Sequence, residues 1–404
     1  MSSNKDNRVQ PGATPATSSP QADWVGAWYA APLRMPPANL GGRTLRQIVH
    51  LYAGGEQVRV RLSNRYGNAP VTLRSVSVGL VLNGPILQAG SQAVLFAGQA
   101  TVTLDAGQEA VSDPVTLRVE ALTNLAITYY LAQGESITGH LTALQHSYVT
   151  GIGDYTAAPA EATLFIYPLM TTAWWLLSGI DVLPTTPLNA VVALGSSVTD
   201  GFGSTPEKNR RWPDYLARHL REAGGTRVMS VLNAGVSGNQ LTASEIPQLA
   251  GTGIPPFLFG EAGSQRLAWD VLGQPGATDL IVHIGSNDLR AGVSGATLIQ
   301  AFQEVVERTR KSYRRVFGTT ILPGGYPPEQ ETQLHLVNTW MLEQGRQWFD
   351  AVFDFATPLR SPENEALLNP LYDSGDGIHP NDEGYRLMAA AVDIDQLSGS
   401  SGRA

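Results

Sequence analysis

The sequence predicts an antiparallel β-sandwich, with a jelly roll as one form of it, followed by an α/β domain built on a parallel sheet. Three observations predict this. From about residue 24 to about 167, strand patterns follow one another with turn residues between them. No long amphipathic helix interrupts that stretch. Past the link Leu183-Pro184-Thr185-Thr186-Pro187 the texture changes, and short apolar runs alternate with helical patterns.

In the first region, residues 57–62 alternate strictly. Val58, Val60 and Leu62 fall on one face and Arg59 and Arg61 on the other. Residues 100–104 alternate too, and 114–119 and 124–131 are rich in branched and aromatic side chains. Gly54-Gly55, Tyr66-Gly67-Asn68, Asn83-Gly84-Pro85 and Asp105-Ala106-Gly107 punctuate them. The apolar stretch 164–183 is broken by Pro168, Thr171, Thr172, Ser178, Gly179 and Asp181, which argues against a transmembrane helix. Two buried strands joined by a turn are expected there.

In the second region, strands are expected near 190–194, 228–232, 280–284, 316–321 and 351–355. Helices are expected near 214–222, 297–313 and 330–344, and a last one after Pro380. Leu298, Phe302, Val305, Val306 and Thr309 have the three-and-four spacing of a helix with one buried face. Alternating elements of this kind give a parallel sheet with helices on both faces. Its site lies beyond the strand C-termini, at a switch in strand order. The expected organisation is a disordered segment 1–23, a β-sandwich domain 24–182, an α/β domain 189–395 and a flexible tail 396–404.

Composition bounds the function. The chain has 404 residues, 43% of them apolar and 15% charged, which suits a globular protein of two domains. A net charge of -8 weighs against nucleic acid as a partner, because phosphates need a basic surface. Cysteine is absent, so there is no disulfide framework, thiol nucleophile or thiolate metal site. Residues 1–23 are rich in Ser, Pro, Asn, Gln and Thr and hold no apolar stretch of the secretory kind. The expected compartment is extracellular or periplasmic if a signal peptide has been removed, and cytoplasmic otherwise.

The chemistry concentrates at strand ends. Gly195-Ser196-Ser197-Val198-Thr199-Asp200-Gly201 follows the apolar run 190–194 and reads as a sharp turn that exposes a serine. A serine hydroxyl needs a neighbouring base, and histidine suits because its pKa lies near working pH. A carboxylate then orients the imidazole, as Asp376-Gly377-Ile378-His379 could provide. Asn233-Ala234-Gly235-Val236-Ser237-Gly238-Asn239 follows the second strand, and Gly285-Ser286-Asn287-Asp288 the third. Each block alone reads as a turn or a helix start. All four follow strands or precede the last helix, so one edge of one sheet could collect them.

This ordered set, over roughly residues 189–392, resembles the four blocks of the GDSL, or SGNH, esterase/lipase family. It is similar to a bacterial branch carrying an N-terminal β-domain, as the segment 267–276 also suggests. The resemblance implies a three-layer α/β/α, flavodoxin-like hydrolase domain. It implies Ser197 as nucleophile, His379 as base and Asp376 as its orienting acid. The implied oxyanion hole is formed by the N–H groups of Ser197 and Gly238 and the side-chain amide of Asn287. One departure stands out: Ser196 occupies the place of the family's aspartate, so two hydroxyls adjoin. Ser197 is preferred because Thr199, Asp200 and Gly201 then align with the family's trailing residues.

Two rival readings exist. Asp373, Asp376, His379 and Asp382 are spaced closely enough for a metal site, but acids around a helix start are ordinarily capping groups and no second histidine is near. The other rival is a carbohydrate-binding protein with an inactive hydrolase domain; against it, no triad or oxyanion residue is missing. The reading is therefore a serine carboxylester hydrolase with no cofactor and no metal. It acts through an acyl-enzyme on short-chain or acetyl esters of small molecules or carbohydrates, with a lysophospholipase- or lipase-type activity as the alternative. His283, just before Gly285, is expected to be buried near the site, without a catalytic role.

Overall fold

A computed structural model describes residues 24–133, 136–158, 163–165, 169–244 and 255–399. The segment 1–23 and the end of the tail, 400–404, lie outside the described residues.

The N-terminal region is β-rich and antiparallel. Among the described residues it forms three sheets. Val25–Tyr29, Leu177–Leu183, Gly55–Ser63 and Val115–Val119 run side by side in one. A larger sheet centres on Arg43–His50, Asn124–Gln133 and Val71–Asn83. A small one joins Leu33–Ala38, Ser136–His140 and Trp174–Trp175. The alternation read at 57–62 holds: Val58, Val60 and Leu62 are buried. Arg59 and Arg61 reach across to the Asp181 carboxylate at 3.4 and 3.8 Å. Val58, Val60 and Ile180 of the first sheet and Leu73, Leu125 and Ile127 of the second join one apolar cluster.

The stretch 164–183 departs from the expected pair of strands. Its described part holds three, Leu169–Thr171, Trp174–Trp175 and Leu177–Leu183, one in each sheet. Leu176, with φ +57°, turns the chain from one sheet into the next. No helix among the described residues is long and apolar enough to cross a membrane.

The C-terminal region is α/β. Its strands are β1 (Asn189–Gly195), β2 (Met229–Gly235), β3 (Ala277–His283), β4 (Arg315–Thr319) and β5 (Ala351–Phe353). Its helices are α1 (Ser197–Asp200), α2 (Trp212–Ala223), α3 (Gly263–Asp270), α4 (Ser286–Arg290), α5 (Gly295–Thr309), α6 (Pro328–Glu343) and α7 (Asp382–Ala390). All strand pairs are parallel, in the order β2-β1-β3-β4-β5. The reversal at β1 is the switch point where such sheets open a crevice.

Period-two burial supplies both faces of this sheet. Val191, Ala193, Val231 and Ile281 pack with Trp212 and Leu216 of α2 and Met388 of α7. Ala190, Val192, Leu194, Leu232 and Leu280 pack with Leu267 of α3, Phe302 of α5 and Val337 of α6. Val25, Tyr29, Ala31 and Leu33 of the β-rich region belong to that second cluster, so the two regions share apolar surface. The first residues of the expected tail are tied down. Ser398 N–H donates to Asp279 at 2.7 Å, and Gly399 carbonyl accepts from Asn189 at 2.5 Å.

Candidate active site

Register brings the first three blocks to one edge, and the fourth joins them through His379. Gly195, the last residue of β1, is level with Gly235 of β2 and His283 of β3. Ser197, Gly238 and Asn287 therefore leave the same end of three adjacent strands, with Ser197 in the middle.

The turn after β1 is held by close backbone approach. Asp200 N–H donates to Ser196 carbonyl and Gly201 N–H to Ser197 carbonyl, both at 2.8 Å. A Cβ at Gly235 would lie 2.3 Å from Asp200 N, so only glycine lets β2 pass so near α1. Val236 N–H and Asn233 Nδ2 stitch the same turn, to Gly195 carbonyl at 3.2 Å and Thr199 carbonyl at 2.7 Å. Gly238 has φ +79°, and a Cβ there would strike the Phe259 ring. On the other side, Asp288 accepts from Leu241 N–H and from Thr242 N–H and Oγ1 at 2.7–2.9 Å. Asn287 Nδ2 donates to Asn239 carbonyl at 2.9 Å. The third block thus grips the second.

Three predicted residues meet in one hydrogen-bonded chain. His379 Nε2 lies 2.8 Å from Ser197 Oγ, and His379 Nδ1 lies 2.6 Å from Asp376 Oδ2. A carboxylate oxygen only accepts, so Nδ1 carries the proton. In the neutral ring Nε2 is then free to accept from the serine hydroxyl. Asp376 Oδ1 also accepts the N–H groups of Ile378 and His379 at 2.9 and 2.8 Å. Partial burial works against the Asp376 carboxylate. Its hydrogen bonds from the His379 ring and from these two N–H groups outweigh burial and hold its pKa below the usual range. Phe202 covers His379 with ring centroids 4.7 Å apart, and Tyr385 donates to Phe202 carbonyl at 2.5 Å.

The adjoining hydroxyls separate clearly. Ser197 is partly exposed, whereas Ser196 is 3% exposed and makes no side-chain cap to α1. Ser196 lines a small crevice with Val198, His283, Ile284, Leu322 and Ile378, so that sequence neighbours of both Ser197 and His379 wall it. His283 donates from Nδ1 to Thr319 Oγ1 at 2.7 Å, because the Thr319 hydroxyl itself donates to Val282 carbonyl.

The acids of the rival metal reading are engaged otherwise. Asp373 accepts the N–H groups of Gly375 and Gly377. Asp382 accepts from Thr205 N–H, Thr205 Oγ1 and Arg210. Sequence reasoning gave no role to Phe202, to Asp200 or to His140, which lies 2.9 Å from Asp200. The contacts of Phe202 with His379 and of Asp200 with His140 span 60 residues or more, and no local spacing signals such contacts.

Residues 193–387 match the family described as GDSL-like Lipase/Acylhydrolase. No curated protein matches the chain. Among solved structures, the chain is similar to a lipolytic protein of the G-D-S-L family from Desulfitobacterium hafniense, at 24% identity and TM-score 0.39 over 52% of this chain and 99% of that one. It is similar to an acetyl xylan esterase from Geobacillus stearothermophilus at 16% identity and TM-score 0.38, covering 54% of this chain and 97% of that one. An aryl esterase from M. smegmatis is similar at 19% identity and TM-score 0.37, over 52% and 97% of the two chains. With the four blocks joined at one sheet edge and the family match spanning them, residues 193–387 form a hydrolase domain that belongs to the GDSL-like lipase/acylhydrolase family.

Proposed function

We propose that the protein hydrolyses carboxylic esters through an acyl-enzyme on Ser197. The observation that carries this reading is the unbroken chain Asp376–His379–Ser197 at the switch point of the sheet. His379 takes the Ser197 proton as Oγ attacks the ester carbonyl, and Asp376 holds the imidazole in the required tautomer and stabilises its cation. The N–H groups of Ser197 and Gly238 and the side-chain amide of Asn287 receive the developing oxyanion. Collapse of the tetrahedral intermediate expels the alcohol, which takes its proton from His379. Water, deprotonated by the same His379, then releases the acid.

The crevice beside Ser197, walled by Val198, Ile284, Leu322 and Ile378, supports short acyl groups such as acetyl. The ester's alcohol part is that of a small molecule or a carbohydrate. The apolar cluster shared by two β-sheets supports reading 24–182 as a sandwich, and the two-sided burial of β1 to β5 supports a three-layer α/β/α hydrolase domain.

The test is steady-state hydrolysis of p-nitrophenyl acetate. Ser197→Ala is expected to lower kcat by about 1,000-fold or more, while Ser196→Ala stays within about threefold of the parent. A folded Ser197→Ala variant with near-parental turnover overturns the assignment.

A further inference from the structure

We infer that His140, contributed by the β-rich region, is a positioning residue for ester cleavage: through Asp200 it fixes the turn carrying Gly238 against the nucleophile helix. The inference rests on the roles proposed above for Ser197 and Gly238.

His140 ends the strand Ser136–His140 and is 3% exposed. Its Nδ1 lies 2.9 Å from Ala31 carbonyl and its Nε2 2.9 Å from Asp200 Oδ1. Both partners are acceptors only. The ring satisfies both by carrying two N–H groups, as an imidazolium. Burial alone would push its pKa down. The Asp200 carboxylate and the Ala31 carbonyl overcome that and hold it above the ordinary histidine value. The other charge facing this pair is the Arg211 guanidinium, which donates to Asp200 carbonyl at 3.0 Å and pairs with Asp214. The Trp174 ring closes the remaining side at 5.7 Å.

Asp200 connects this cation to the reacting groups. It stands three residues after Ser197, at the end of a helix of four residues. Its second oxygen accepts from Ser237 N–H at 2.9 Å and Ser237 Oγ at 2.7 Å. Ser237 directly precedes Gly238. The β-rich region reinforces the same turn from a second residue, because Thr142 Oγ1 donates to Ser237 Oγ at 3.1 Å. Two further bonds lay the segment 140–144 along the hydrolase domain. Arg211 donates to Ala143 carbonyl, and Glu207 N–H to Leu144 carbonyl at 2.8 Å.

Loss of the His140 side chain leaves a buried carboxylate oxygen without its cation. A carboxylate that has lost this donor turns toward another, and that changes the acceptor that holds Ser237. The Gly238 N–H then leaves the place where the oxyanion forms. A donor used only in the transition state affects kcat and leaves ground-state binding alone.

The experiment compares full-length His140→Ala, His140→Gln, Thr142→Val and Ser197→Ala on p-nitrophenyl acetate, with near-ultraviolet circular dichroism to verify folding. His140→Ala is expected to lower kcat by about 10–100-fold with KM within about twofold, as for a small misplacement of catalytic groups. His140→Gln, whose amide can still donate to Asp200, is expected to recover part of that loss. A folded His140→Ala with parental kcat, beside an inactive Ser197→Ala, overturns the inference and leaves the esterase reading standing. If Ser197→Ala itself retains activity, that reading fails and the inference falls with it. If His140→Ala does not fold, Thr142→Val decides: a kcat about threefold or more below the parent at constant KM supports the inference, and an unchanged kcat overturns it.

Discussion

Asp376 and His283 are single side chains whose replacement has different consequences, one for turnover and one for stability. Asp376→Asn would put an amide opposite His379 Nδ1. The amide can donate there and favour the wrong tautomer, so kcat is expected to fall by about 1,000- to 10,000-fold with the fold intact. Turnover within tenfold of the parent would contradict the role given to Asp376. His283 is a different case. Burial pushes its pKa down to about 3, so the folded ring stays neutral where an unfolded one takes up a proton. The sign follows: stability falls as pH drops from about 6.5 toward 3, by at most about 1.4 kcal/mol per pH unit from this group. His283→Gln has no such proton to bind. Its melting temperature should therefore decline less than the parent's between pH 6.5 and 4.5; parallel declines would contradict the account.

Among elements, the passage of β2 beside α1 is the tightest constraint. Gly235→Ala places a methyl against Asp200 N, a backbone atom that no rotamer change can relieve. Destabilisation by about 1–3 kcal/mol is expected from such overpacking, read as a lower midpoint in urea. A parental midpoint would show that the turn can move. Most hydrolase elements were legible because periodicity reports a buried face directly. Leu298, Phe302, Val305, Val306 and Thr309 are all buried on α5, as their spacing predicts. Helix α3 was not legible: it is eight residues long, begins at a glycine and has no side-chain cap. Arg266 and Asp270 of α3 form an ion pair, and Tyr29, far away in sequence, donates to Asp270 at 2.6 Å.

The whole molecule behaves as two textures with a shared interior. The change of texture read at the link after Leu183 falls between the strands Leu177–Leu183 and Asn189–Gly195. The sequence did not reveal that Val25, Tyr29, Ala31 and Leu33 pack with β1, β2 and β3, because apolar residues in a first strand look the same whichever partner they meet. A single cooperative unfolding transition is therefore expected for the full chain, coincident by fluorescence and circular dichroism. Residues 189–404 alone would expose that apolar surface and should aggregate or lose the parental substrate preference. A soluble fragment with unchanged preference would contradict the shared interior.

The central claim is a covalent intermediate on Ser197. Rapid acid quenching during turnover of p-nitrophenyl acetate, followed by peptide mass spectrometry, tests it most directly. The account predicts one acetyl group on the peptide containing Ser197, located on that residue and absent from Ser197→Ala and His379→Ala. Acetylation of Ser196 instead, or full turnover with no acylated serine at any quench time, would contradict it.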